Sequence, residues 1–272
     1  MTRGYHSTDA VILNSIVYGE SDRIVTFYTK DHGKLKGIAK GALRSKKRFV
    51  GNLDPLSRVR LLFFQTGKSD LVRVEGVTLV DGFTPLKGEI ERYGSACCMI
   101  ELTNEMTREG MVSPAFFDIL AGFLGLMDEG AGRHGRLADR RGRLDDPEIL
   151  LRFFEIKLLT MMGYLPHLEG CVVCREGLNG ERVFFSSEKG GVVCKACATG
   201  LKDIIPVSAG TARFFTMAAK MDIEKLGRLV PGPMSAKEGE KVLSNFIRYQ
   251  LGKELKTRRF MEKVHGTLDG YL

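Results

Sequence analysis

Hydrophobic and polar positions along the first eighty or so residues repeat with a period of two. Alternating or β-branched runs span Asp9 to Val17, Arg23 to Thr29, Lys34 to Lys40, Val59 to Phe64 and Leu71 to Val77, with Gly, Asp, Ser and Asn between them. Successive strand side chains point to opposite faces, so each run predicts a half-buried β-strand. Five short strands in so small a segment predict a small barrel. In the third run Lys34, Lys36 and Ile38 alternate with Leu35, Gly37 and Ala39, which places both lysines on one outward face.

After Asp81-Gly-Phe-Thr-Pro85 the period becomes helical. Glu89 to Thr107 carries an apolar face. Ser113-Pro114 and Asp146-Pro147 each place a capping side chain before a proline at the first helical position, and the second opens a helix from Ile149 to Met162 that Gly163 and Pro166 stop. Ser208 caps a helix from Thr211 to Met221, and Ser235-Ala-Lys-Glu238 reads as a capping box opening a helix to about Leu255. Residues 129–146 are rich in Gly and Arg without periodicity and read as a solvated connection.

Charge is distributed unevenly. The chain carries a formal net charge of +8, and residues 1–80 hold fourteen Lys or Arg against seven Asp or Glu. Lys30, Lys34, Lys36, Lys40, Arg44, Lys46, Lys47 and Arg48 are interrupted only by Asp31. Such a run is usually a solvated face, but its concentration on one small barrel points to a nucleic-acid backbone. Lys34, Lys36, Lys40, Arg44, Lys46, Lys47 and Arg48 are the candidate phosphate contacts. Phe49 beside them either stacks on a base or pins the connection to the barrel, and the second role is the commoner one.

Cys171, Cys174, Cys194 and Cys197 form C-x2-C-x19-C-x2-C, two thiol pairs separated by enough chain to fold back around one ion. Four thiolates at this spacing suit tetrahedral Zn2+, and a closed four-sulfur shell leaves no position for water, so the zinc is expected to be structural. Strand-like residues 182–186 and 191–193 around Glu188-Lys-Gly-Gly191 predict a zinc ribbon inserted between helices. His167 lies close enough in sequence to substitute for a thiolate, but four cysteines suffice. Cys97 and Cys98 read as buried thiols in a helix.

Several classes are excluded by what the sequence omits. The start lacks the basic-then-apolar order of a signal peptide, and no apolar run is long enough to span a bilayer, so a reduced, cytoplasmic location without membrane contact is expected. No G-x-x-x-x-G-K-[ST] loop is present. His6, His32, His134, His167 and His265 show no ligand spacing, so no enzymatic activity is expected.

Taken in order, Ala10-Val-Ile-Leu13, Tyr18-Gly-Glu-Ser-Asp22, Thr29 followed by Gly33-Lys34, Ala39-Lys-Gly-Ala42 and Gly163-Tyr-Leu-Pro166 just before the cysteines resemble the RecO family of bacterial recombinational-repair proteins. The resemblance runs along nearly the whole chain. It implies an α+β protein in which an N-terminal OB-fold barrel precedes a helical domain carrying the inserted four-cysteine ribbon. The domains are then 1–80, the nucleic-acid-binding barrel; 81–168 and 201–272, the two parts of the helical domain; and 169–200, the zinc insertion. Zinc cysteines are not universal in the family, which agrees with a bracing role.

The resemblance also implies partners: single- and double-stranded DNA, RecR, the acidic C-terminal tail of single-strand-binding protein and, indirectly, RecA, in the bacterial cytoplasm at the nucleoid. For the tail, the cations of the last helix and the aromatics near them suggest a groove of Phe246, Arg248, Tyr249 and Arg258, with Phe260 nearby, although cations there also complement a helix dipole. A zinc-ribbon accessory factor with an OB-like barrel that binds RNA or a polymerase would share the basic composition.

Overall fold

The computed structural model describes residues 3–45, 47–49, 52–67, 70–132, 145–177 and 183–268, with side chains to 264. The chain forms two compact units, Met1–Ala131 and Gly132–Leu272.

In the first unit β1 (Gly4–Tyr18), β2 (Asp22–Thr29), β3 (Gly33–Ala39), β4 (Arg58–Gln65) and β5 (Leu71–Asp81) close into a barrel in the order β1-β2-β3-β5-β4. Only the β3–β5 pair is parallel. This five-stranded, OB-like closure removes the sheet edges that would otherwise invite aggregation. The expected alternation is present on β3, where Leu35 and Ala39 face the core while Lys34, Lys36 and Ile38 face outward. Ala10, Ile12, Val25, Phe27, Leu61, Phe63 and Val74 fill the interior, and Phe49 and Leu53 join them from the β3–β4 connection. Phe49 is therefore the pin of that connection, and its ring is not a stacking surface.

Three helices complete this unit: α1 (Thr84–Lys87), α2 (Ile90–Met106) and α3 (Pro114–Glu129). Ser113 caps α3 as its sequence suggests, its hydroxyl accepting from the Phe116 amide. Tyr28 on β2 meets Phe116 edge-on at 5.1 Å, and Lys30 pairs with Asp118 at 2.8 Å. The outward-facing Val11, Thr26 and Tyr28 are consequently buried, and burial pushes the Tyr28 phenol up to about 12. The boundary between units thus falls within the helical stretch that the sequence pattern groups as 81–168. The reason is that α2 and α3 cover the barrel wall.

The second unit contains α4 (Pro147–Met161), the strands β6 (Val183–Ser186), β7 (Gly191–Val193) and β8 (Ile204–Val207), the short α5 (Lys195–Ala198), α6 (Ala209–Lys220), α7 (Pro233–Leu251) and α8 (Lys256–Leu268). Asp146 caps α4 by accepting from the Glu148 and Ile149 amides. Phe153, Phe154, Phe185, Phe214, Phe215 and Phe246 are packed in its interior. Glu155, fully buried, is flanked by Arg152 at 2.9 Å and Arg258 at 2.8 Å.

Three sequence expectations change here. The hairpin gains an edge strand, β8, whose Pro206 had removed the usual strand signal. Helix α7 starts at Pro233, so Ser235 lies inside its first turn and forms no capping box. It ends at Leu251 because Gly252 adopts φ 67°, and α8 is a separate helix.

Glu238, the glutamate of the expected box, instead ties α7 to the start of α6. One of its oxygens accepts from the Ser208 amide at 2.9 Å, the Ser208 hydroxyl at 2.7 Å and the Thr211 hydroxyl at 2.5 Å. Burial alone would raise this carboxyl, but the three donors outweigh it and leave it below its ordinary value of 4.5. A depressed folded value favours the carboxylate in the native state, so its contribution is complete above about pH 4.5 and disappears as pH falls through the folded value. Glu238→Gln is expected to lower the stability of this unit by about 1–2 kcal/mol at pH 7. In denaturant titrations the difference from the parent should shrink as pH falls below about 4.5; a pH-independent difference would contradict the assignment.

Candidate metal cluster and nucleic-acid surface

The cysteine segment folds so that its two thiol pairs face each other. The Cys171–Cys174 turn is closed by the Arg175 amide donating to the Cys171 carbonyl at 2.8 Å. It docks on β7 through Val172 N–H to the Val192 carbonyl and Val192 N–H to the His167 carbonyl, both at 2.9 Å. That close approach requires Gly191, because a Cβ there would meet the His167 carbonyl oxygen at 2.3 Å. The second pair begins at Cys194, the residue before α5, and one turn of that helix brings Cys197 to the same side.

All four sulfurs lie within 4.8 Å of one another. Metal–sulfur bonds of about 2.3 Å in a tetrahedron require sulfur separations near 3.8 Å. The Cys174 and Cys194 sulfurs are already 3.9 Å apart, so small movements would close the shell. The donor set fits a metal ion. His167 is outside it and serves the hairpin through its backbone.

The electrostatics also favour a cation. Burial raises the Cys171 thiol, but the amides of Cys174, Cys194 and Val173 directed at its sulfur bring it down to about 6. Hydrogen bonding to Cys194, with burial and the other thiols, pushes Cys197 up to about 12. The Glu176 amide lowers Cys174, yet its thiol neighbours and burial leave it raised. One thiolate is thus favoured by the backbone amides, and those of Cys174 and Cys197 need positive charge at the centre. Cys97 is separate: burial raises its thiol, and Cys98 is buried beside it in α2.

The candidate phosphate contacts divide into two groups. Lys34 is committed within the first unit, its ammonium donating to the Asn104 carbonyl at 2.6 Å and the Thr107 carbonyl at 2.5 Å, where α2 ends. Burial lowers its pKa. It therefore fastens α2 to the barrel and is withdrawn as a phosphate contact. Lys36 pairs with Glu109 at 2.7 Å, both about half exposed; a pair of this kind stabilises by less than about 1 kcal/mol, so Lys36 stays available to an anion.

The connection after β3 is more open. Lys40, Arg44, Lys47 and Arg48 are exposed. Arg44 pairs loosely with Glu20 at 3.7 Å, itself almost fully exposed. Arg48 lies 5.0 Å from the centre of the Phe49 ring and donates to the Lys40 carbonyl at 3.3 Å. Phe49, buried in the barrel, thus anchors a loop on which Lys40, Arg44, Lys47 and Arg48 are exposed. Lys46 and residues 133–144 of the Arg/Gly-rich connection lie outside the described residues.

The groove expected near the C-terminus is not formed as such. Phe246 is buried and meets Phe185 edge-on at 5.6 Å, so it belongs to the core. Tyr249 and Phe260 are exposed, and Arg258 is held by Glu155. Arg248 and Arg258 do share a cavity of about 150 Å3 at the α7–α8 corner, with Lys253, Glu254 and Glu262. A larger apolar cavity of about 270 Å3, lined by Ile149, Phe214, Phe215, Pro231 and Pro233, was not legible, since its walls come from separate helices. No helix among the described residues is long and apolar enough to cross a membrane.

Comparison with known proteins agrees with this arrangement. Residues 1–83 match the family model "Recombination protein O N terminal" and residues 87–259 match "Recombination protein O C terminal". The DNA repair protein RecO of Syntrophus aciditrophicus is 34% identical over 266 residues, covering 97% of each chain. That of Anaeromyxobacter dehalogenans strain 2CP-C is 31% identical over 265 residues, 96% of this chain and 97% of its own. That of Myxococcus xanthus is 32% identical over 259 residues, 95% of this chain and 98% of its own. With an OB-like barrel, a helical region, a four-cysteine cluster and relatives of matching length, this chain belongs to the RecO family and has a role in recombinational DNA repair.

Proposed function

We propose that this protein is a non-enzymatic DNA-binding recombination mediator: it anneals complementary strands and, with RecR, promotes RecA loading on DNA coated by single-strand-binding protein, in the cytoplasm at the nucleoid. The observation that carries the reading is the open basic loop Lys40–Arg48 mounted on the barrel by Phe49. Contacts made to phosphates neutralise strand repulsion and leave base edges free to pair, which is what annealing requires. The four cysteines would hold Zn2+, which braces the ribbon and has no open position for chemistry. The test is binding and annealing of defined oligonucleotides without nucleotide: duplex should form faster, with strands of unchanged length. Shortened strands or a requirement for ATP would overturn it.

We assign the acidic tail of single-strand-binding protein to the α7–α8 cavity, where Arg248, Lys253 and Arg258 outnumber Glu254 and Glu262. In the larger cavity Asp146, Glu148 and Glu240 outnumber Arg152 and Lys237, a balance that disfavours an acidic peptide. Arg248→Ala should weaken binding of a tail peptide about tenfold in fluorescence anisotropy. Unchanged affinity would place the tail elsewhere.

A further inference from the structure

Barrels of this type commonly take oligonucleotides across the outer face of β2 and β3. Here that face is covered along β2 and at Lys34, and of its outward positions on β3 Lys36 stays about half exposed. Tyr28 is buried against Phe116, Lys30 is paired with Asp118, and Lys34 is bound to the end of α2. A strand of DNA drawn to the basic loop must therefore lay its bases on a different part of the barrel.

The outer face of β1, β4 and β5 offers one. Tyr5 pairs in register with Phe64, and Phe64 with Arg73, so three outward side chains form a row across three strands. The Tyr5 and Phe64 rings are 4.9 Å apart, and the Arg73 guanidinium lies 5.6 Å from the Phe64 ring while paired with Glu75. Tyr5 is 65% exposed, and Leu62, one step along β4 on the same face, is 42% exposed. Phe64 is half-buried between Tyr5 and Arg73, and an exposed ring such as that of Tyr5 is costly in water unless something covers it. Arg60, also exposed, lies further along this face. Opposite Leu61 on the neighbouring strand, the Val77 amide approaches the Arg48 carbonyl at 3.5 Å, so the basic loop lies alongside β5.

We propose that Tyr5, Phe64 and Arg73 form a stacking platform for the bases of single-stranded DNA, continuous through Arg60 with the phosphate-binding loop. This inference rests on the DNA-binding reading and adds to it the place where bases sit. Aromatic faces beside guanidinium groups take any base, since every base has a π-face, and so confer affinity for single strands without sequence preference. Duplex DNA, whose bases are already stacked, gains nothing from the row.

The probes are labelled oligo(dT), an abasic strand of the same length, and duplex DNA. Tyr5→Ala is expected to weaken oligo(dT) binding about tenfold. Its affinity for the abasic strand and the duplex, and its salt slope, should match the parent. Tyr5→Trp should retain oligo(dT) affinity; because the chain has no other tryptophan, its emission reports this position alone and should be quenched on binding. Equal oligo(dT) affinity for Tyr5→Ala and parent, or unquenched Tyr5→Trp emission at saturation, would overturn the platform and leave the face to a protein partner. Failure of the parent to bind any strand would instead sink the DNA-binding reading itself.

Discussion

Removing the metal, by chelation or by Cys194→Ser, is expected to loosen residues 170–200 while the barrel of the first unit keeps its stability. Among the described residues, the hydrophobic cluster around the thiols has Cys171, Val193 and Ala198 as buried members, with Val172, Phe184, Leu201 and Ile204 packed at its edge. So small a core cannot offset the conformational entropy of ordering its segment. Binding to structural four-cysteine sites supplies on the order of 10 kcal/mol, which is ample. The protein should therefore hold one zinc per chain, with four thiols slow to react until it is removed. Cys194→Ser should lose the zinc and show fast amide exchange in the Cys171–Cys174 turn and in α5, while β6 stays held by Phe185 against Phe246. Full stability of the zinc-free protein would contradict the bracing role. Acid should release the metal, because the raised Cys174 and Cys197 thiols must both lose protons to bind it, so affinity rises with pH.

The second large effect is expected at the loop. Changing Lys40, Arg44, Lys46, Lys47 and Arg48 together to Ala should lower single-strand affinity by two to three orders of magnitude at about 0.1 M salt, with the exact loss set by how many phosphates each cation meets. Each lost phosphate contact removes about 0.7 from the slope of log affinity against log salt, so the slope should flatten by up to about 3.5 if all five cations meet a phosphate. Lys34→Ala is expected to behave differently. Its ammonium is spent on the carbonyls at the end of α2, so the change should destabilise the first unit and leave the salt slope as it was. Isothermal titration across a salt series separates the two. An unaltered slope in the loop variant would make the loop a solvated face only.

The parts of this molecule that follow local rules were legible in the sequence. Period-two runs marked all five barrel strands, Ser113, Asp146 and Ser208 marked helix starts, and the cysteine spacing marked the cluster. Misreadings arose where a local signal served a distant partner. Ser235 and Glu238 have capping-box spacing, but Glu238 is satisfied by Ser208 and Thr211 from α6. Lys34 belongs to a basic run, yet a helix seventy residues on claims it. Phe246 looks like a surface aromatic among cations until Phe185 from the hairpin is placed against it. The covering of the β2–β3 face, and with it the significance of Tyr5 and Phe64, depends on where α2 and α3 pack, which no local pattern states.

The central claim, that the barrel and its loop bring strands together, is tested most directly by annealing of complementary DNA coated with single-strand-binding protein. Stopped-flow measurement should compare the parent with the five-fold loop variant and Cys194→Ser. The parent should accelerate annealing without nucleotide, the loop variant should fall to the uncatalysed rate, and Cys194→Ser should retain the activity under conditions where its barrel stays folded. Full annealing by the loop variant would contradict the account.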